Sequence, residues 1–268
     1  MKIHLLGSIE IADEHITLKL PGEKLRAIVA ILALTPNRPV SRNDLIDELW
    51  GEAPPRNAEN SLHGHIARLR RILAARSGRD SLRDLIGTSN FGYVLTLPEA
   101  DVDASRFCDL VRRASVLHES DPAGAVTLLT EALGLWRGPA LLDAGHGILC
   151  RMAYTRLTEI RLTAFEQLFD ARFALGMHRS VITELEQLHA QYPLREQFCE
   201  QLITALYWSG RQAEALDAYH RTRQRLSQGL GLEPGQALRR RYHEILRQEP
   251  VQGPRPRVLT RPGAAAGG

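Results

Sequence analysis

The chain has 268 residues, 44% hydrophobic and 24% charged, with a formal net charge of +3. That length can bury two hydrophobic cores, and a charge so mild cannot by itself single out a nucleic-acid partner. No apolar run approaches the ~20 residues needed to cross a bilayer, and no basic segment leads into an apolar one at the N-terminus, so a soluble, cytoplasmic protein is expected.

Taken in chain order, Ile3 to Ile11 and Ile16 to Leu20 read as short strands around the polar turn Ala12-Asp13-Glu14-His15, implying a small antiparallel sheet. Pro21 and Gly22 stop the second strand. Leu25, Ile28, Val29 and Leu32 then recur at helical spacing until Pro36 and Pro39 end the pattern. Ser41 stands three residues before Asp44, a capping box with Asp in place of Glu or Gln, and Leu45, Ile46, Leu49 and Trp50 supply the apolar face of a second, short helix. Gly51 to Pro55 cannot continue it, because its two prolines lack amide donors and fix φ. A third helix is predicted from about Asn57 to Ala75, with Leu62, Ile66, Leu69, Ile72 and Leu73 as its buried stripe. Leu82, Leu85 and Ile86, then Gly87 to Leu97, read as a β-hairpin with a polar, glycine-bearing tip. Strands, helix, helix, loop, long helix and hairpin, in that order, describe a winged helix-turn-helix preceded by its own small sheet.

Pro98 to Asp101 is the expected boundary. From Asp103 to Glu249 the pattern is helical throughout, broken only by Gly, Pro or polar residues. Gly176 and Gly210 are 34 residues apart, the tetratricopeptide period, and Ala215 and Tyr219 fall where that repeat places a small residue and an aromatic on its second helix. Stacked helix pairs are expected. The fold class is therefore mainly α: a winged helix-turn-helix with small β-sheets over 1–98, an all-α tetratricopeptide-like domain over 101–250, and a Pro/Gly/Ala-rich tail, 251–268, expected to be disordered.

Basicity is local. Between Arg56 and Arg83 there are seven arginines against Glu59 and Asp80, a net +5, whereas Asp101 to Glu249 nets −1. With the apolar stripe of the third helix turned inward, its outer face carries Asn60, Gly64, Ala67 and Arg71, flanked by Asn57, His63, Arg68 and Arg70. Arginines fork onto guanine edges or clamp phosphates, and Asn and His side chains bond to base edges, so this face fits a DNA major groove. Gly64 costs a helix interior about 1 kcal/mol relative to Ala, a cost that close docking of backbone against another surface would explain. In the hairpin, Ser89, Asn90 and Tyr93 sit where a wing would cross the sugar-phosphate backbone or enter a minor groove. The loop holding Glu52, Pro54 and Pro55 is rigid and exposed, a place where a polymerase subunit could touch. Bland readings stand beside these: a solvated basic face, an exposed turn with a packed tyrosine, a mere connector.

His63 and His65 diverge by about 200° on one helix, so no metal pair is expected of them. Cys108, Cys150 and Cys199 lack CxxC spacing and read as reduced structural residues; no cofactor is expected.

Long stretches resemble the Streptomyces antibiotic regulatory protein family, whose members join a response-regulator-type winged helix to a bacterial transcriptional activator domain. They are Ser41-Arg42-Asn43-Asp44-Leu45-Ile46-Asp47-Glu48-Leu49-Trp50-Gly51, His65-Ile66-Ala67-Arg68-Leu69-Arg70-Arg71-Ile72-Leu73, Gly92-Tyr93, Leu133-Gly134-Leu135-Trp136-Arg137-Gly138-Pro139, Pro193-Leu194-Arg195-Glu196 and Gly229-Leu230-Gly231-Leu232-Glu233-Pro234-Gly235. The resemblance implies a nucleoid-associated activator of a secondary-metabolite gene cluster. It implies head-to-tail binding of a dimer to direct repeats in promoter DNA, and recruitment of RNA polymerase holoenzyme through its sigma factor. DNA contacts carry over to His63, Arg68, Arg70 and Arg71 on the third helix, and to Asn90 and Tyr93 on the wing. The tip Ser89-Asn90-Phe91-Gly92 departs from relatives that often place an Arg or a second Gly there. No GxxxxGK[ST] occurs, and a small stand-alone activator is expected.

Two other classes remain open at this point. One is a tetratricopeptide-type adaptor that does not bind DNA. The other is an enzyme, for which His243 beside Glu244 and His146 near Asp143 are the available acid–base pairs; neither has a third orienting group.

Overall fold

The computed structural model describes residues 1–12, 17–77, 85–118 and 120–248. The expected turn at Asp13 to His15, the residues Arg79, Leu82 and Arg83, the side chain of Arg76 and the tail 251–268 lie outside these. The chain divides into two compact units, residues 1–113 with 128–164 and residues 114–127 with those from 165 on.

The first unit begins with strands β1 (Lys2–His4), β2 (Glu10–Ala12) and β3 (Thr17–Lys19), an antiparallel sheet in which Ile3, Ile11 and Leu18 stand side by side. All three are buried. The single strand expected from Ile3 to Ile11 is thus two, and its middle makes its hydrogen bonds elsewhere. Leu5 and Leu6 donate to the Asp103 carboxylate at 2.7 and 3.1 Å. Their carbonyls accept from Leu141 and Arg137, each at 2.8 Å. Buried backbone groups need partners, and here a distant segment supplies them.

Helix α1 (Glu23–Leu34) buries the predicted Leu25, Ile28, Val29 and Leu32. Helix α2 (Arg42–Trp50) starts on the Ser41 hydroxyl, which accepts from the Asp44 amide at 3.0 Å, as an N-cap should. Just before it, β4 (Val40–Ser41) pairs with the hairpin, a strand of two residues that no periodicity reveals. Helix α3 (Ala58–Ser77) buries Leu62, Ile66, Leu69 and Leu73, while Ile72 is only half-buried. Strands β5 (Ile86–Thr88) and β6 (Gly92–Leu95) complete a second sheet in the order β4-β6-β5.

After a short 3-10 turn at Glu99–Asp101 come α4 (Asp103–Leu117), α5 (Pro122–Gly134) and α6 (Ile148–Ala174). Within the first unit Trp136 packs edge-on against Phe107, 5.3 Å between centroids, with the Arg161 guanidinium over its face at 4.5 Å. Glu48 of α2, 6% exposed, accepts from the amides of Leu149 and Cys150 at 2.7 and 3.2 Å. Those amides belong to the first turn of α6, whose donors have no partner within the helix.

The second unit adds α7 (Ile182–Gln191), α8 (Glu196–Trp208), α9 (Gln212–Leu230) and α10 (Gln236–Leu246). The 34-residue repeat is written in its hydrogen bonds. Gly176 donates to Phe173 and Met177 to Arg172; Gly210 donates to Tyr207 and Arg211 to Leu206, all at 2.9 Å. Both glycines have positive φ, 74° and 79°, so each repeat closes its first helix with the same left-handed cap. Ala215, Ala218 and Tyr219 are buried, and Tyr219 stacks on Tyr242 of α10 at 4.0 Å. His189 and Thr222 meet in this core, Nε2 to Oγ1 at 3.2 Å, and Asp170 accepts from Gln201 at 2.6 Å.

Candidate nucleic-acid interface

Helix α3 is held by α1 and α2 on its apolar side and by the β5–β6 hairpin along one flank. Asn57, Asn60, His63, Gly64, Ala67, Arg68 and Arg71 are all exposed. The face derived from the helical wheel is therefore open to solvent. Arg68 and Arg71 present guanidinium groups with no carboxylate within ion-pair reach among the described residues. The face combines amides, an imidazole and two cations around two small residues, which suits a polyanion bearing hydrogen-bonding edges.

Two of the residues expected to touch DNA are placed differently. Arg70 is half-buried, and its guanidinium donates to the Ile86 carbonyl at 2.9 and 2.6 Å and to the Thr88 hydroxyl at 2.9 Å. It ties the helix to the hairpin. Tyr93 is not at the exposed tip but inside β6, 2% exposed, with its ring edge-on to His63 at 6.2 Å. The correction has a simple cause: Tyr93 pairs with Val40 and Thr88 in the centre of a three-stranded sheet, and that central strand turns its aromatic inward under α3. Its hydroxyl is pushed above the ordinary tyrosine range, chiefly by burial.

His63 and His65 also part company. His63 packs on Tyr93, whereas His65 lies against Trp50 at 6.0 Å. Burial, then the charges of Lys24 and Arg68, hold the His65 pKa below the ordinary histidine value. Among the described residues no group of three His, Cys, Asp or Glu side chains is placed to hold a metal ion.

The tip is a tight turn closed by reciprocal bonds between Ser89 and Gly92, amide to carbonyl at 2.9 and 3.3 Å. A Cβ on Gly92 would come within 1.8 Å of the Val40 carbonyl, so only glycine lets β4 and β6 approach there. Asn90 is exposed, as expected, and Ser89 is half-buried because its hydroxyl accepts from the Gly92 amide at 3.1 Å. Two residues went unnoticed in the sequence. Arg42 takes the carbonyls of Phe91, through its amide at 3.3 Å, and Asn90, through its guanidinium at 3.5 Å. Phe91 is 77% exposed. A phenylalanine between the two turn-closing residues was the available signal. Glu52, Pro54 and Pro55 stand on an exposed loop between α2 and α3.

Comparison with known proteins matches residues 18–95 to the family described as transcriptional regulatory protein, C terminal, and residues 102–246 to the bacterial transcriptional activator domain. The transcriptional regulator RedD of Streptomyces coelicolor is 45% identical over 94% of this chain and 72% of its own. The chain belongs to the Streptomyces antibiotic regulatory protein family. It is a DNA-binding transcriptional regulator. The regulatory protein DnrI of Streptomyces peucetius is 34% identical over 93% of both chains, and EmbR of Mycobacterium tuberculosis 35% over 97% of this chain and 66% of its own. A solved structure of EmbR, in complex with a low-affinity phosphopeptide, superposes with a TM-score of 0.88 over 94% of this chain at 34% identity. Family membership accounts for both halves at once, the winged helix-turn-helix and the helical array.

Among the described residues no helix is long and apolar enough to cross a membrane.

Proposed function

We propose that this regulator activates a secondary-metabolite, antibiotic-type gene cluster by binding direct repeats in promoter double-stranded DNA as a head-to-tail dimer. Helix α3 enters the major groove, with Asn57, Asn60, His63, Arg68 and Arg71 in contact. Asn90 follows on the wing, while Arg70 and Tyr93 position the reading helix. The part from 101 to 250 makes the protein contacts, with RNA polymerase holoenzyme and its sigma factor as the target, and the Glu52-Ala53-Pro54-Pro55 loop as one point of touch. The division of labour falls between 1–98 and 101–250. The protein carries out no catalysis, works without a cofactor and acts in the cytoplasm at the nucleoid.

One observation carries this reading: the exposed amide, imidazole and guanidinium face of α3 beside an ordered hairpin. Footprinting on regions upstream of neighbouring biosynthetic operons tests it. Protected repeats in register with the DNA helix are expected, with affinity falling steeply as salt rises. Salt-insensitive or sequence-indifferent association would leave the adaptor reading in its place.

A further inference from the structure

The connection between α1 and β4, one face of α4 and the exposed side of α6 border a cleft of about 390 Å³, all of it within the first unit. None of its residues belongs to the DNA-reading face. Each of the three elements brings one guanidinium group to it: Arg38, Arg112 and Arg156. Arg38 and Arg156 have no carboxylate within ion-pair reach among the described residues. Arg112 is paired with Asp109, but Asp109 also has Arg113 at 3.7 Å, so Arg112 can turn into the cleft without leaving that carboxylate bare. Glu99 is the other acid on its rim. The balance is positive.

Arg38 is presented by a fixed turn. Its amide donates to the Thr35 carbonyl at 3.2 Å, and its neighbour Asn37, at φ 63°, donates through its own amide to Leu95 at 2.8 Å and exchanges side-chain bonds with Leu97 at 2.8 and 3.2 Å. On α4, Ser105, Cys108, Asp109 and Arg112 follow one another at spacings of three, one and three residues, which puts them on one face. Burial pushes the Cys108 thiol up and the Arg156 charge pulls it back, so α6 brings its cation within electrostatic reach of that face. Leu34, Pro36 and Ala104 supply an apolar wall. The volume lies within the roughly 300–1,000 Å³ of small-molecule sites. A lone carboxylate occupies one guanidinium fork, whereas a phosphate monoester carries close to two charges and three accepting oxygens, enough for three forks.

We infer that this cleft binds a small organic phosphate, its phosphate monoester group held by Arg38, Arg112 and Arg156 and its carbon skeleton laid against Leu34, Pro36 and Ala104. The inference goes beyond the DNA reading and does not depend on it. Because Asn37 ties down the base of the hairpin, an occupant that links Arg38 to α4 and α6 joins the winged helix-turn-helix to the opening helices of the activator domain. A metabolite signal acting there reaches both.

The test reads the Cys108 thiol, which lines the cleft half-buried while Cys150 and Cys199 are buried. The full chain is labelled with iodoacetamide at mildly alkaline pH, and Cys108→Ser identifies the signal. Ribose 5-phosphate at about ten times its dissociation constant slows labelling about tenfold, and calorimetric titration returns the same constant. Inorganic phosphate protects at higher concentration; ribose, succinate and chloride at matched ionic strength do not. Arg38→Ala and Arg156→Ala each weaken ribose 5-phosphate binding about tenfold with Tm unchanged, since both side chains are exposed. Labelling is compared as the ratio with and without ligand, because Arg156 also acts on the thiol. Absence of both protection and heat with either phosphate probe overturns the inference, as does protection undiminished when Arg38 and Arg156 are replaced together. Equal protection by succinate would make this a carboxylate site. Protection by a phosphoserine peptide or duplex DNA alone would hand the cleft to a macromolecule, and either result overturns the assignment while leaving the DNA reading untouched.

Discussion

Replacing Arg70 by alanine separates bracing from reading. The guanidinium makes two bonds to the Ile86 carbonyl and one to the Thr88 hydroxyl, between 2.6 and 2.9 Å. Hydrogen bonds to a charged group are worth about 1.5–3 kcal/mol when sheltered, and half-exposure brings the whole anchor down to about 2 kcal/mol. That corresponds to a roughly thirtyfold increase in transient opening of the hairpin. Amide hydrogen exchange over Ile86 to Leu95 should report it directly. Promoter affinity should fall too, because the wing is held less firmly, but the salt slope should stay where it is. Arg68→Ala and Arg71→Ala should behave in the opposite way, leaving hairpin exchange alone and lowering the slope by about 0.9 for each phosphate no longer neutralised. Wild-type exchange in Arg70→Ala together with a shallower salt slope would mean that Arg70 reaches phosphate, and the bracing role would be refuted.

Gly92→Ala should destabilise the first unit by about 1–3 kcal/mol in urea denaturation, because the Val40 carbonyl already fills the space a methyl group needs; an unshifted midpoint would contradict this. Glu48→Ala should cost about 1–3 kcal/mol by stripping two amides of their acceptor, with Glu48→Gln in between, measured as loss of Tm. In the second unit, burial first and then Arg225 and Arg221 bring His189 down to about 4, while burial first, with Glu166 and Glu200 adding to it, takes Asp170 up to about 7. Between pH 6.5 and 4 the unfolded chain protonates the histidine and the folded one does not, so stability falls with falling pH. Between pH 4 and 7 the unfolded chain ionises the aspartate first, so its contribution falls with rising pH. Each amounts to roughly 3–4 kcal/mol, and the two oppose each other. Asp170→Asn should therefore lose stability toward pH 4 and His189→Gln toward pH 7 in urea midpoints; parallel profiles would refute the assignment.

Elements governed by local rules were legible in the sequence. The stripe Leu62, Ile66, Leu69 and Leu73 oriented α3 and with it the face of Asn60, Arg68 and Arg71, and the two glycines 34 residues apart marked the repeat. What escaped depends on pairing across long separations. β4 is two residues long and exists because Gly92 admits it. Arg70 looks like its neighbours in sequence and differs only in having a carbonyl of the hairpin beside it. Tyr93 looked like a wing residue until its strand was found to be central. The break in the first strand was likewise invisible without Asp103, 97 and 98 residues away from the amides it accepts.

That last arrangement bears on how the protein can be cut. A fragment ending at residue 98 would contain the whole winged helix-turn-helix, yet Leu5 and Leu6 would lose the acceptor for their amides and the donors to their carbonyls, and the Glu48 carboxylate would lose Leu149 and Cys150. Three buried polar sites would open together beside freshly uncovered leucines. Anyone seeking the smallest soluble DNA-binding piece should keep the chain at least as far as the opening turns of α6.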